Sequence, residues 1–203
     1  MKISTSNLGT FRQCEKCPSH DNCCAKVMRG GKIESPWMTR QELERIETFS
    51  GEDSSIFSNE ISPVGLFEYY MKNGEQGCYF HNGGECKVYC VRPFDCRLFP
   101  YDVCNMGGHL ILIGYLSVCP PQVEKDILVR DAEKAKKVLM EYEALLEDYA
   151  RIDAPKVEGY EYVVLFEILR SPSGLKFVEP SSDLVFPRQG KELQPVSLER
   201  KTY

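Results

Sequence analysis

The chain has 203 residues, 42% of them hydrophobic and 27% charged, which is enough apolar material to bury a core without covalent staples. Its net charge of −5 is spread evenly: residues 1–120 carry 12 Lys and Arg against 14 Asp and Glu, and residues 121–203 carry 13 against 16. Neither half has the clustered cations that phosphate binding needs, which argues against nucleic acid as the primary partner. Ten cysteines, about 5% of the chain, exceed ordinary usage but fall short of the roughly 8 to 10% of a disulfide scaffold, so size does not explain them.

Residues 1–17 contain no apolar stretch of secretory length, and no later run approaches the roughly 18 to 20 apolar residues of a membrane span. The longest apolar segment, 110–118, has the length of a buried strand. The expectation is a cytoplasmic protein without membrane contact. In a reducing compartment, clustered cysteines are more often metal ligands or redox thiols than structural disulfides.

In chain order, the first predicted element begins at Thr39, which with Glu42 three residues on forms a capping box. Its helix is predicted to run to about Phe49, with Leu43, Ile46 and Phe49 facing inward, and to stop near Ser50 and Gly51. Residues 52–65 read as turn-rich, and Phe67, Tyr69, Tyr70 and Met71 lead to Asn73-Gly74, a hairpin-type signal. Short strands over 77–81 and 85–89, joined by Asn82, Gly83 and Gly84, predict a hairpin with Cys78 and Cys86 on its two arms. Arg92-Pro93 opens a short turn or helix through Cys96, Arg97, Leu98 and Phe99, which Pro100 ends. A strand over 109–118 follows Gly107 and Gly108 and closes at Cys119, Pro120 and Pro121.

Beyond it, Ile127, Ala132, Ala135, Val138, Leu139, Tyr142, Leu145, Leu146 and Tyr149 recur at helical spacing, predicting one long amphipathic helix over 122–152 that covers the core. A strand is expected over 159–170, and the Pro-containing residues 171–203 read as an extended arm against the body or a protein partner. The fold class is α+β: a small cysteine-rich metal-binding core with short β-hairpins, a capped short helix, one long C-terminal amphipathic helix and an extended tail. Its expected divisions are 1–121, 122–170 and 171–203.

The cysteines fall in two groups. Four lie in residues 14–24, as Cys14-x2-Cys17-x5-Cys23-Cys24, and six lie in 78–119: Cys78, Cys86, Cys90, Cys96, Cys104 and Cys119. A pair two residues apart can turn both thiolates onto one metal. The adjacent Cys23 and Cys24 point to opposite sides of extended backbone, so they feed two sites or one of them is a packed thiol. Cys14-x2-Cys17 lacks the strand-to-helix setting of a thioredoxin couple. No nucleotide, hydrolase or protease motif is present.

Several of these motifs together carry a resemblance. The order Cys-x2-Cys-xn-Cys-Cys, then Thr39-x2-Glu42, Cys78-Tyr-Phe, Cys86-Lys-Val-Tyr89-x2-Arg92-Pro93-x2-Cys96-Arg97-Leu-Phe-Pro100 and Cys119-Pro120 resembles the YkgJ-type cysteine-cluster family over roughly residues 10–121. That family is described as a zinc- or iron-chelating domain, and relatives include the flagellin lysine N-methylases. The resemblance assigns the family's eight cysteines to Cys14, Cys17, Cys23, Cys24, Cys78, Cys86, Cys96 and Cys119, leaving Cys90 and Cys104 outside the pattern. Five residues rather than two separate Cys17 from Cys23, and this insertion introduces His20 as a candidate ligand.

Eight thiolates suffice for two four-ligand sites or for one [4Fe-4S] cluster with spare cysteines. Close cysteines completed by a remote Cys-Pro resemble the ferredoxin habit more than the paired layout of zinc sites, so an iron–sulfur cluster is expected first and zinc as the alternative. Arg92 and Arg97 flank Cys96 and would offset the charge of a thiolate centre; the competing reading is two surface arginines. His81 follows Cys78 by three residues, and a solvent-facing strand histidine is favoured over a ligand. Tyr89 is expected to pack beneath the cysteines, with Trp37, Tyr69 and Tyr70 as core or rim aromatics. The resulting function is a metal-cluster protein; the alternatives are a protein-modifying enzyme of the methylase kind, for which 122–203 is short and lacks cofactor-binding glycines, and an interaction module.

Overall fold

The structure is a computed structural model, and the residues described are 35–74, 77–82, 85–116, 125–149 and 162–180. Strand β1 (Trp37–Thr39) runs directly into helix α1 (Arg40–Ser50). Thr39 is extended (φ −77°, ψ 162°); its hydroxyl accepts the Glu42 N–H at 3.2 Å while the Glu42 carboxylate accepts the Thr39 N–H at 3.0 Å, so two of the helix's open amides are satisfied reciprocally. Gly51 ends the helix in the left-handed region (φ 72°), donating to the Glu47 carbonyl at 2.9 Å. Leu43 and Ile46 are buried as expected, but Phe49 in the last turn is 51% exposed, so the apolar stripe stops one turn earlier than its spacing suggests.

Residues 52–65 are more ordered than their turn-rich composition implies. Asp53 caps a single helical turn, α2 (Ser54–Phe57), and β2 (Ser58–Val64) follows. Strand β3 (Phe67–Met71) buries Phe67, Tyr69 and Met71 in alternation and is the centre of an antiparallel sheet ordered β1-β3-β2. As an edge strand, β2 tolerates Pro63 and polar residues, which is why its sequence does not read as a strand.

Where one hairpin is expected to carry Cys78 and Cys86 on its arms, there are two in succession: β4 (Asn73–Gly74) with β5 (Gly77–Cys78), and β6 (His81–Asn82) with β7 (Glu85–Cys86). A 3-10 turn (Tyr89–Val91), helix α3 (Phe94–Leu98) and a cis Phe99–Pro100 peptide follow.

The larger sheet is antiparallel, ordered β11-β10-β9-β8, from β8 (Tyr101–Met106), β9 (His109–Tyr115), β10 (Tyr162–Ser171) and β11 (Gly174–Val178). Strand β8 escapes sequence reading because it buries Asp102, whose charge breaks the apolar pattern; the Tyr115 hydroxyl donates to that carboxylate at 2.7 Å. Residues from beyond 121 and beyond 171 enter this sheet as β10 and β11, so the expected divisions at those positions are crossed by continuous strand pairing.

The single helix expected over 122–152 is interrupted. Helix α4 (Lys125–Glu141) ends at Tyr142 (φ −117°, ψ 32°), a 3-10 turn (Glu143–Leu145) follows, and α5 (Leu146–Tyr149) resumes. At the break the Tyr142 ring packs 5.0 Å from Phe94 and its hydroxyl meets Arg97, tertiary contacts that periodicity cannot register.

Helix α4 buries Leu128, Ala132, Ala135, Val138 and Leu139 against one face of the sheet, with Val103, Leu112, Leu165 and Ile168, and this cluster extends to Phe67 and Phe94. A Cβ at Gly114 would lie 3.3 Å from a Leu128 methyl, so the glycine sets how closely the helix approaches. A second cluster joins Met38, Leu43, Ile46, Phe57, Tyr69, Met71, Phe80 and Val88, and a third lies on the sheet's other face around Cys104, Ile111, Ile113, Tyr115 and Tyr162. The molecule is thus α+β. No helix among the described residues is long and apolar enough to cross a membrane.

Candidate metal centre

The two small hairpins repeat one design eight residues apart. Asn73 pairs with Cys78 and His81 with Cys86, and the residue after each cysteine donates its N–H at 3.0 Å to the residue before each hairpin, Tyr79 to Lys72 and Lys87 to Phe80. Cys78 and Cys86 therefore occupy equivalent positions. Between the octets 72–79 and 80–87 the cysteine is the one residue in common, so this repetition is carried by backbone pairing and is invisible as sequence identity. Both cysteines are half-buried and border the same apolar cluster, with the Cys78 thiol donating to Met71 Sδ at 3.1 Å.

Cys96 sits on α3, which is held from two sides. Glu42 Oε1 accepts the Phe94 N–H at 2.6 Å, and Asp95 Oδ2 accepts the Trp37 N–H at 2.8 Å. The carboxylate that completes the capping box of α1 thereby also caps α3, so the Thr39-x2-Glu42 and Arg92-Pro93-x2-Cys96 motifs are in physical contact. Glu42 is 3% exposed. Burial pushes its carboxyl up, against the opposing pull of the Thr39 and Phe94 amides. Glu42's second partner has no signal in sequence; its first was legible as a capping box.

The two arginines have separate partners. Arg92 donates from Nε to the Tyr89 carbonyl at 3.0 Å and lies 3.7 Å over the Tyr89 ring. Arg97 reaches the end of α4, donating to the Tyr142 hydroxyl at 2.5 Å and pairing with Glu141 Oε2 at 2.8 Å. The cysteines outside the family pattern are also placed apart: Cys90 is exposed on the 3-10 turn, and Cys104 is fully buried on the sheet's other face. There the Tyr162 phenol is raised by burial and, next, by Cys104.

His81 is not the solvent-facing residue expected. Both ring nitrogens are buried without a hydrogen-bond partner, on a residue directly across the hairpin from Cys86. The expectation rests on ordinary histidine usage on strands, which carries no information about how the folded chain covers the ring nitrogens. Among the described residues no group of three or more His, Cys, Asp and Glu is arranged to hold a metal ion. Of the predicted donors, Cys14, Cys17, His20, Cys23, Cys24 and Cys119 lie outside the described residues, which leaves Cys78, Cys86 and Cys96 within them. Thiols at matched hairpin positions beside buried, unsatisfied imidazole nitrogens are chemically suited to a soft or borderline metal. No family model, curated protein or solved structure matches the chain.

Proposed function

We propose that this protein binds a thiolate-held metal centre, an iron–sulfur cluster before zinc, with ligands drawn from Cys78, Cys86 and Cys96 together with Cys14, Cys17, Cys23, Cys24 and Cys119. The observation that carries this reading is the equivalent placement of Cys78 and Cys86 on consecutive hairpins bordering one apolar cluster. Two thiols held by separate short pairings and half shielded from water at the border of an apolar cluster are in a setting that suits thiolate donors. Docking of α3 through Glu42 and Asp95 supports the reading by tying the Cys96 segment to α1, whose Leu43 and Ile46 build that cluster. The resemblance to the cysteine-cluster family points to the same donors.

A bound cluster or ion would link the N-terminal cysteines to the hairpin region, and an iron–sulfur cluster would add electron transfer to that structural duty. Of the two arginines flanking Cys96, Arg92 would be the one to offset thiolate charge, since Arg97 is engaged by Glu141 and Tyr142. The test is anaerobic purification with a visible spectrum and assays for iron, acid-labile sulfide and zinc. Broad visible absorption with iron and sulfide is expected; zinc without sulfide would select the alternative metal, and a folded, colourless, metal-free protein would refute the proposal.

A further inference from the structure

The proposed centre rests on cysteines, yet the least explained polar group beside them is an imidazole. Neutral histidine carries one N–H donor and one lone pair, and both ring nitrogens of His81 are buried with no hydrogen-bond partner. Buried polar atoms are nearly always satisfied, and an exception calls for a missing ion, water or ligand. A position serving only to fill apolar space would be better occupied by leucine or phenylalanine. The contrast with His109 is instructive, since its Nδ1 lies 2.6 Å from Glu167 Oε1 at the edge of the large sheet.

Placement supplies the rest. His81 and Cys86 are directly opposed across β6 and β7, and opposed residues of an antiparallel pair project from the same face with Cβ atoms about 4.5–5.5 Å apart. Cys78 precedes His81 by three residues but stands on the preceding hairpin, so Cys86 is the donor that strand pairing sets opposite the ring. A metal ion would take the lone pair of one ring nitrogen, and the N–H of the other would be left to an outer acceptor, as is usual for metal-ligating histidines. Zinc accepts mixed cysteine and histidine sets, and imidazole replaces thiolate in some iron–sulfur centres, so nitrogen ligation is compatible with either metal.

We propose that His81 is a nitrogen ligand of the metal centre, sharing it with Cys86 across the β6–β7 hairpin; this rests on the thiolate-centre reading above. It assigns a donor that the cysteine pattern does not include and makes the site a mixed sulfur–nitrogen one.

The test loads the reduced full-length protein with cobalt(II) alone and records its ligand-field spectrum and nitrogen hyperfine coupling, with and without 15N-labelled histidine. The expected result is a 15N-sensitive coupling in the wild type that persists in His20→Gln and His109→Gln and vanishes in His81→Cys. The ligand-field bands of His81→Cys should move to lower energy as thiolate replaces imidazole. Cobalt affinity of His81→Ala should fall at least roughly 10-fold, the lower end of what losing even an outer partner costs. Because the coupling is read on the wild type, a variant that misfolds does not remove the test. Cysteine-dependent cobalt binding with no nitrogen coupling, or with a coupling that survives in His81→Cys, overturns the His81 assignment and leaves the thiolate centre standing. A wild type that binds no cobalt, iron or zinc overturns both.

Discussion

Glu42 terminates two helices with one carboxylate, which makes it the most informative single position in the fold. Its Oε2 accepts the Thr39 N–H at 3.0 Å and its Oε1 the Phe94 N–H at 2.6 Å, so Glu42→Ala removes a partner at each helix start. A hydrogen bond to a charged acceptor contributes about 1.5–3 kcal/mol, and orphaning the buried Phe94 amide adds a desolvation cost of similar size. Opposing these is the relief of no longer burying a carboxylate, the cause that leads in raising its proton affinity. The net expectation is a loss of about 2–4 kcal/mol for Glu42→Ala, and about 1–2 kcal/mol for Glu42→Gln, whose amide accepts one N–H but turns its own donors toward the other.

A pH dependence accompanies this. The folded chain binds the Glu42 proton more tightly than the unfolded chain, so this group's contribution to stability is full below the ordinary carboxyl value of 4.5 and is lost as pH rises through the higher folded value. Urea unfolding of wild type and Glu42→Gln, followed by circular dichroism from acid to neutral pH, should show the difference between them changing across that window. An Ala variant within about 0.5 kcal/mol of wild type, or a pH-invariant difference for Gln, would refute the double-cap reasoning.

Cys96→Ala should lower metal retention in anaerobic metal analysis, while Cys90→Ala, at an exposed position, should leave both metal and stability unchanged. Cys104→Ala should also keep its metal but lose about 1–2 kcal/mol in urea unfolding, because it opens a small void among Ile111, Ile113 and Tyr115. Gly65 (φ 60°) has Asp148 where a Cβ would stand, 1.4 Å from its Oδ1, and Asp148 Oδ2 accepts the Leu66 N–H at 2.7 Å, so Gly65→Ala should cost about 3 kcal/mol by thermal melt. Gly51→Ala, with a similar φ of 72° but open space, should cost only about 1 kcal/mol; equal losses would mean that the Asp148 contact contributes nothing. Arg97→Ala should cost about 0.5–1 kcal/mol, since its Glu141 partner is 39% exposed and water screens the pair, and a double-mutant cycle with Glu141→Ala measures the coupling.

Features governed by neighbouring residues were legible in the one-dimensional pattern. The capping box at Thr39, the left-handed stop at Gly51, the strands within 109–118 and 159–170 and the amphipathic helix beginning after 122 all follow from local hydrogen bonding or periodicity, with boundaries off by a few residues. Local signals failed where a distant partner decided the outcome. Strand β8 buries a carboxylate because Tyr115 satisfies it, α4 breaks at Tyr142 beside Phe94 and Arg97, and edge strand β2 needs β3 to exist.

For the candidate centre the division has the same cause. Residue type and spacing alone gather the cysteines into two groups, 14–24 and 78–119; setting Cys90 and Cys104 apart from the other eight is what the resemblance implies. That Glu42 joins the α1 cap to the Cys96 segment, that Cys78 and Cys86 are matched across two hairpins, and that the ring nitrogens of His81, opposite Cys86, are buried required the folded chain. Satisfaction of a buried polar atom is a relation between residues far apart in sequence: 52 positions separate Glu42 from Phe94. Spacing nominates candidate donors, and packing determines which buried polar groups are left without a partner.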